Sequence, residues 1–164
     1  MKKTVYSLWF IVYSLTFLLA FTNISCAQNE GVGIGNKAPD FTLPDISGKQ
    51  VSLKDTIAAN KATLLVFGAT WCPYCRNEIP ELKQLNSSHA KKGLKILSVD
   101  IGESPKKVES FAKQQGIDYT VLVDEDNRVA SQYGVMGIPA NILVDQSGEI
   151  KYRGTAPPSE DQLP

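Results

Sequence analysis

Cysteine and histidine are scarce in this chain, and their scarcity removes several chemistries at once. Among 164 residues there are three cysteines, Cys26, Cys72 and Cys75, and a single histidine, His89. A structural zinc site takes four such ligands, usually as two separated pairs. Here Cys72 and Cys75 have no second pair to complete a site, so no metal is expected. Covalent haem attachment needs a histidine directly after the second cysteine of a C-x-x-C, and Arg76 stands there. Excess charge of either sign is also missing, with 17 basic against 17 acidic side chains. Nothing in that balance draws the chain to nucleic acid, and none is expected as a partner. The acidic run Asp124-Glu125-Asp126 lacks the spacing of a calcium loop and reads as a turn leading into a helix. There are no internal repeats and no low-complexity tracts.

What remains is enough for one domain behind a leader. Met1-Lys2-Lys3 is a basic start, and Val5 to Ile24 is apolar with scattered Ser, Thr and Tyr, so residues 1–27 read as a signal peptide or membrane anchor. Small residues at Ser25 and Ala27 fit cleavage after Ala27. Lipidation of Cys26 is a second outcome, although Asn23 is a poor fit to a lipobox. Retention as an uncleaved anchor is a third, the run being about long enough to span a bilayer. All three place the domain outside the cytoplasm. Residues 28–37, rich in Gly and Asn, read as a linker, and 38–164 as the domain.

Within the domain, Ala38 to Pro44 and Val51 to Leu53 flank Ser47-Gly48-Lys49 and predict a β-hairpin. Thr63 to Gly68 is continuously apolar, as a buried central strand is. Ile79, Leu82 and Leu85 give one face of a helix from Pro73 to about Lys92, with Pro80 inside it, His89 near its end and Gly93 stopping it. Strands follow at Leu94–Val99, Tyr119–Val123, Ala140–Val144 and Ile150–Arg153. Helices are expected from Pro105 to Gln115 and from Asn127 to Tyr133. Strands alternating with helices before a closing hairpin make an α/β fold with a mixed sheet.

The chemistry is concentrated in Trp71-Cys72-Pro73-Tyr74-Cys75, where a strand delivers two cysteines to the first turn of a helix. Cys72 falls at the N-cap and Pro73 at the first helical position, where a missing N–H costs nothing. The unpaired N–H groups and the positive end of the helix dipole favour a thiolate on Cys72. A disulfide across so short a loop stabilises little, so the pair reads as one that cycles.

With these parts placed, the chain resembles the TlpA/ResA-like extracytoplasmic thiol–disulfide oxidoreductases, which have a thioredoxin-like fold. The matching segments are Ala38-Pro39-Asp40-Phe41, Phe67-Gly68-Ala69-Thr70-Trp71-Cys72-Pro73-Tyr74-Cys75, Glu78-Ile79-Pro80-Glu81-Leu82 and Tyr133-Gly134-Val135-Met136-Gly137-Ile138-Pro139. The resemblance runs from about Val32 to Gly154 and includes the helix and strand inserted between Pro105 and Val123. It implies a central mixed sheet flanked by helices and a final helix beyond the point where this sequence ends, at Pro164, so that the expectation is either a truncated last helix or a sheet face covered differently. Pro73-Tyr74 is the dipeptide of glutaredoxins, but the leader and the larger domain disfavour that class. A peroxiredoxin has Pro and Thr where Leu65 and Ala69 stand.

The resemblance also implies roles. Cys72 attacks a client disulfide and Cys75 resolves the adduct, so the redox group is the Cys72–Cys75 disulfide and no cofactor is needed. Pro139 is expected to be cis and to lie against the pair, exposing the backbone of Ile138 to an extended client. Trp71, Pro73, Tyr74, Ile138 and Pro139 form the expected client-binding surface, with Trp71 packed beside the site to limit water. Plain thioredoxins carry a buried Asp where Val66 stands. Glu78 is the carboxylate at the family's offset, three residues after Cys75, and is expected to take that thiol's proton. The expected activity is reduction of disulfides in client proteins such as apocytochrome c, driven by a membrane thiol donor. A disulfide oxidase or isomerase, and a client-binding module with secondary redox activity, stay open as alternatives.

Overall fold

The computed structural model describes residues 32–163. The leader, with Cys26, and residues 28–31 of the expected linker lie outside that range. The domain is organised by β3 (Ala62–Gly68), in which every residue is buried. Its two faces pack against different layers. Leu65 and Phe67 join one core cluster, and Leu64 and Val66 the other. This two-sided burial is why the run is continuously apolar rather than alternating. β4 (Leu94–Ile101) and β5 (Thr120–Asp124) extend the sheet in parallel on one side. On the other side, β6 (Ala140–Asp145) and β7 (Ile150–Gly154) run antiparallel, giving the order β5-β4-β3-β6-β7.

Helices cover both faces. α2 (Pro73–His89) and α3 (Pro105–Gln115) bury Leu82, Leu85, Val108 and Ala112 against the Leu64 face. α2 runs through Pro80 and ends on a 3-10 turn at Ala90–Lys92, where Gly93 takes the left-handed conformation (φ 106°) that a glycine adopts without penalty. His89, its last residue, is buried, with Nδ1 2.8 Å from Ser88 Oγ. The opposite face is covered by α1 (Leu53–Ala59), α4 (Arg128–Gln132) and the expected hairpin of β1 (Thr42–Pro44) and β2 (Gln50–Ser52).

Two local details correct the sequence reading. Leu53, expected in the hairpin's second strand, opens α1 instead, because the Ser52 hydroxyl accepts a hydrogen bond from Asp55 N–H and caps a helix there. The last linker residues are tied into the domain. Gly35 N–H donates to Ile150 O, Ile150 N–H to Asn36 O, and Ala38 N–H to Gly148 O, so the chain enters as an edge ladder on the β7 turn. At the other end a 3-10 turn at Glu160–Gln162 follows β7, and Leu163 packs on the α2/α3 core cluster.

Candidate active site

The site forms at the carboxyl end of β3. Cys72 is the N-cap of α2 with an extended backbone, Pro73 occupies the first turn, and Cys75 N–H lies 3.2 Å from Cys72 Sγ. The two cysteines are joined as a disulfide, with Cα atoms 5.3 Å apart. Across from them the Ile138–Pro139 peptide is cis, and Cys72 Sγ lies 3.9 Å from the Ile138 carbonyl oxygen. The structure thus brings together the two cysteines, Pro73, Ile138 and Pro139. Cys72 is the more buried of the pair, at 3% exposure, while Cys75 is intermediate.

Beside the pair runs a groove of about 860 Å³, lined among others by Tyr74, Glu78, Met136, Ile138, Pro139 and Arg153. Arg153 braces its far wall, donating from Nη1 to Val32 O (3.1 Å) and from Nη2 to Gly134 O (3.0 Å). Tyr74 and Met136 are exposed at 74% and 97%, leaving apolar surface around the mouth. Trp71 departs from expectation. It is 63% exposed rather than packed over the sulfurs, so it shields the disulfide little and adds to that outer apolar surface.

Glu78 is half-buried on the groove wall, and Asn141 Nδ2 donates to both its oxygens at 3.3 and 3.4 Å. Burial raises its pKa, the Asn141 hydrogen bond lowers it in part, and the charge of Glu81 adds to the rise. Asn141 is itself fully buried on β6, opposite Val66.

A second polar group lies behind the disulfide and was not singled out in the sequence. Glu103 accepts from Thr70 N–H (2.6 Å) and Thr70 Oγ1 (2.9 Å) and is paired with Lys107. Burial pushes its carboxyl up, but Lys107 and the two Thr70 donors outweigh it, and the net shift is downward. Asp100 is buried beside it at the end of β4. Burial first, then the charge and hydrogen bond of Glu103, push Asp100 up to about 8, against weaker pulls from Lys107 and the Thr70 N–H. Glu103 is therefore the ionised member and Asp100 the one that keeps its proton at neutral pH. The detectable signal is that Asp100 and Glu103 close an apolar strand, Leu94 to Val99, where solvent-facing carboxylates would also be unremarkable. Among the described residues no group of three His, Cys, Asp or Glu side chains is arranged to hold a metal.

A disulfide on the first turn of a helix, facing a cis-proline loop at the end of a mixed sheet, defines a thioredoxin-fold thiol–disulfide oxidoreductase. The comparisons with known proteins agree. The AhpC/TSA family model matches residues 34–153. The thiol–disulfide oxidoreductase ResA of Geobacillus thermodenitrificans is 35% identical over 124 residues, 76% of this chain and 70% of that protein. The protein of the same name from Bacillus subtilis is 32% identical over 142 residues, 85% of this chain and 78% of the relative. Among solved structures, a putative thiol:disulfide interchange protein DsbE from Chlorobium tepidum superposes with a TM-score of 0.71 at 29% identity, covering 80% of this chain and 91% of that one. The chain belongs to the AhpC/TSA family and, within it, to the ResA-like thiol–disulfide oxidoreductases.

Proposed function

We propose that this protein is an extracytoplasmic reductase of disulfides in client proteins, apocytochrome c with its cysteine pair being one such client. The observation that carries the reading is the Cys72–Cys75 disulfide 3.9 Å from the carbonyl of Ile138, ahead of the cis-proline. A client lying extended in the groove pairs its backbone with Ile138 and brings a sulfur to Cys72. The Cys72 thiolate attacks that sulfur, breaking the client disulfide and forming a mixed disulfide. Cys75 then attacks Cys72, its proton passes to Glu78, and the client leaves with both sulfurs reduced by the two electrons the pair has lost. A membrane-bound dithiol donor resets the pair. The apolar leader supports a location on the outer face of the membrane, by cleavage, by lipidation at Cys26 or by anchorage.

The reduction potential of the Cys72–Cys75 couple tests the direction. A reductase requires a value below the glutathione poise, at or beneath about −270 mV, whereas one near about −120 mV makes the protein an oxidase. Glu78 is tested separately. Glu78→Gln is expected to slow release of reduced client about tenfold at neutral pH, with mixed disulfide accumulating on non-reducing gels. An unchanged release rate would remove Glu78 from the proton path.

A further inference from the structure

Gly68, at the end of β3, has no side chain where the disulfide meets the sheet. A Cβ there would lie 3.3 Å from both Cβ and Sγ of Cys75. The parallel register pairs Gly68 with Asp100 of β4, so the Asp100 side chain rises from the same sheet face one strand spacing away, about 4.8 Å. Cys75 and Asp100 line one small cavity of about 40 Å³, together with Gly68, Ala69 and Tyr119. That volume holds a water molecule. Asp100 is 7% exposed, and its Oδ1 has no hydrogen-bond partner among the described residues. A buried carboxyl oxygen without a partner is costly, and a fold keeps one where it has a task or a water to meet.

From this arrangement we propose that the Asp100 carboxyl exchanges a proton with the Cys75 thiol across this cavity, on the opposite side of the redox pair from Glu78. The proposal rests on the exchange reading above and holds for either direction of electron flow. In resolution above neutral pH, where Asp100 is ionised, Cys75–SH gives its proton to Asp100–COO⁻ instead of to Glu78 as its sulfur bonds to Cys72. The Cys72–client bond breaks with its electron pair, and the client departs as a thiolate. Asp100, now protonated, returns the proton to solvent or to the departing sulfur. In the reverse direction Asp100–COOH protonates Cys75 as it leaves the internal disulfide. The charged and titratable groups facing Asp100 are Glu103 and Lys107 on the α3 side, Cys75 and Arg76 on α2, and Tyr119 ahead of β5. Burial raises the Tyr119 hydroxyl well above its ordinary value, so it stays neutral, and Glu103 is already paired with Lys107. Asp100 is the group whose titration range overlaps that of an ordinary thiol near about 8.5, which makes the transfer nearly thermoneutral.

The test uses the Asp100→Asn variant loaded in acid with a fluorescent peptide thiol as a mixed disulfide on Cys72, then jumped in pH while peptide release is followed. Release is expected to slow about threefold near pH 8, where the wild-type carboxyl is about half ionised and an ordinary thiol is still mostly protonated, and to match wild type near pH 6, where the carboxyl is already protonated. Equal rates at both pH values, or equal slowing at both, overturns the proposal while leaving the exchange reading intact. A wild-type protein that never releases peptide overturns both. Folding is not at risk from the substitution. Asp100 is raised from 3.8 to about 8, so the folded state binds the extra proton between those values and loses stability as pH rises through them. The uncharged Asn, which can donate to Glu103, removes that loss. A second reading needs no Asp100 variant: in Glu78→Gln protein, the infrared difference between disulfide and dithiol forms is expected to contain a protonated-carboxyl band. Its absence also overturns the proposal.

Discussion

Replacing Cys75 by serine is expected to turn the protein into a trap: Cys72 still attacks, the mixed disulfide cannot be resolved, and covalent client adducts accumulate on non-reducing gels. Replacing Cys72 by serine is expected to abolish adducts and lower exchange by about three orders of magnitude or more. The asymmetry follows from the helix terminus. Cys72 is the N-cap of the 17-residue α2 and receives Cys75 N–H at 3.2 Å. Both effects favour a thiolate at Cys72. Exposure argues the other way, since Cys72 is 3% exposed in the disulfide and Cys75 is the more open of the two. Thiolate stability outweighs exposure here, because Ile138, which lines the groove, holds its carbonyl oxygen 3.9 Å from Cys72 Sγ. Adducts formed through Cys75 in the Cys72→Ser protein would reverse the two roles.

The parts of this site that were legible in the sequence are those whose signals are local. Cys72 and Pro73 mark a helix start by themselves, and the apolar run into Gly68 identifies the strand that delivers them. Glu78 was singled out by the family's offset, three residues after Cys75 on the same helix, and the structure sets it half-buried on the groove wall. Pro139 was found only through the family's motif, since nothing local distinguishes a site proline from a turn proline. The partners behind these residues were not legible for a physical reason. Asn141 meets Glu78 across 63 residues of sequence, and Glu103 meets Thr70 across 33. Both contacts exist only because the strand order is β5-β4-β3-β6-β7. Asp100 became visible once the register set it opposite Gly68, the position whose missing Cβ admits Cys75. Trp71 failed in the other direction: a large aromatic next to a redox pair suggested burial, but at the end of β3 it points outward. α1 was missed because Ser52 ends one strand and caps the next helix, two local readings of the same residue.

Asp124→Ala is expected to be the most destabilising single change to the polar framework, lowering unfolding free energy by about 2–4 kcal/mol. Asp124 is fully buried at the end of β5, and its carboxylate accepts Val129 N–H at 3.1 Å and Ala130 N–H at 2.8 Å. Those are first-turn donors of α4, which its own N-cap, Asn127 at φ 59°, leaves without a side-chain partner. Alanine strands both N–H groups in the core at about 1–3 kcal/mol each, partly relieved because the buried carboxyl group no longer has to be desolvated. Against a typical total of about 5–15 kcal/mol this is a large fraction. The loss bears on function because α4 leads straight to the docking loop. Val129, Ala130 and Tyr133 pack into the core, Tyr133 donates to Pro39 O at 2.6 Å, and Gly134 to Pro139 follow. Urea unfolding of Asp124→Ala and Asp124→Asn separates the two contributions. Asn keeps one acceptor oxygen and is expected to lose about half as much, whereas a loss below about 1 kcal/mol in the alanine variant would mean that water reaches the helix end. Since β3 and the α2 cap do not depend on Asp124, the folded fraction should keep a reactive Cys72 while binding client segments more weakly. Thiol reactivity and client affinity should therefore part company in this variant.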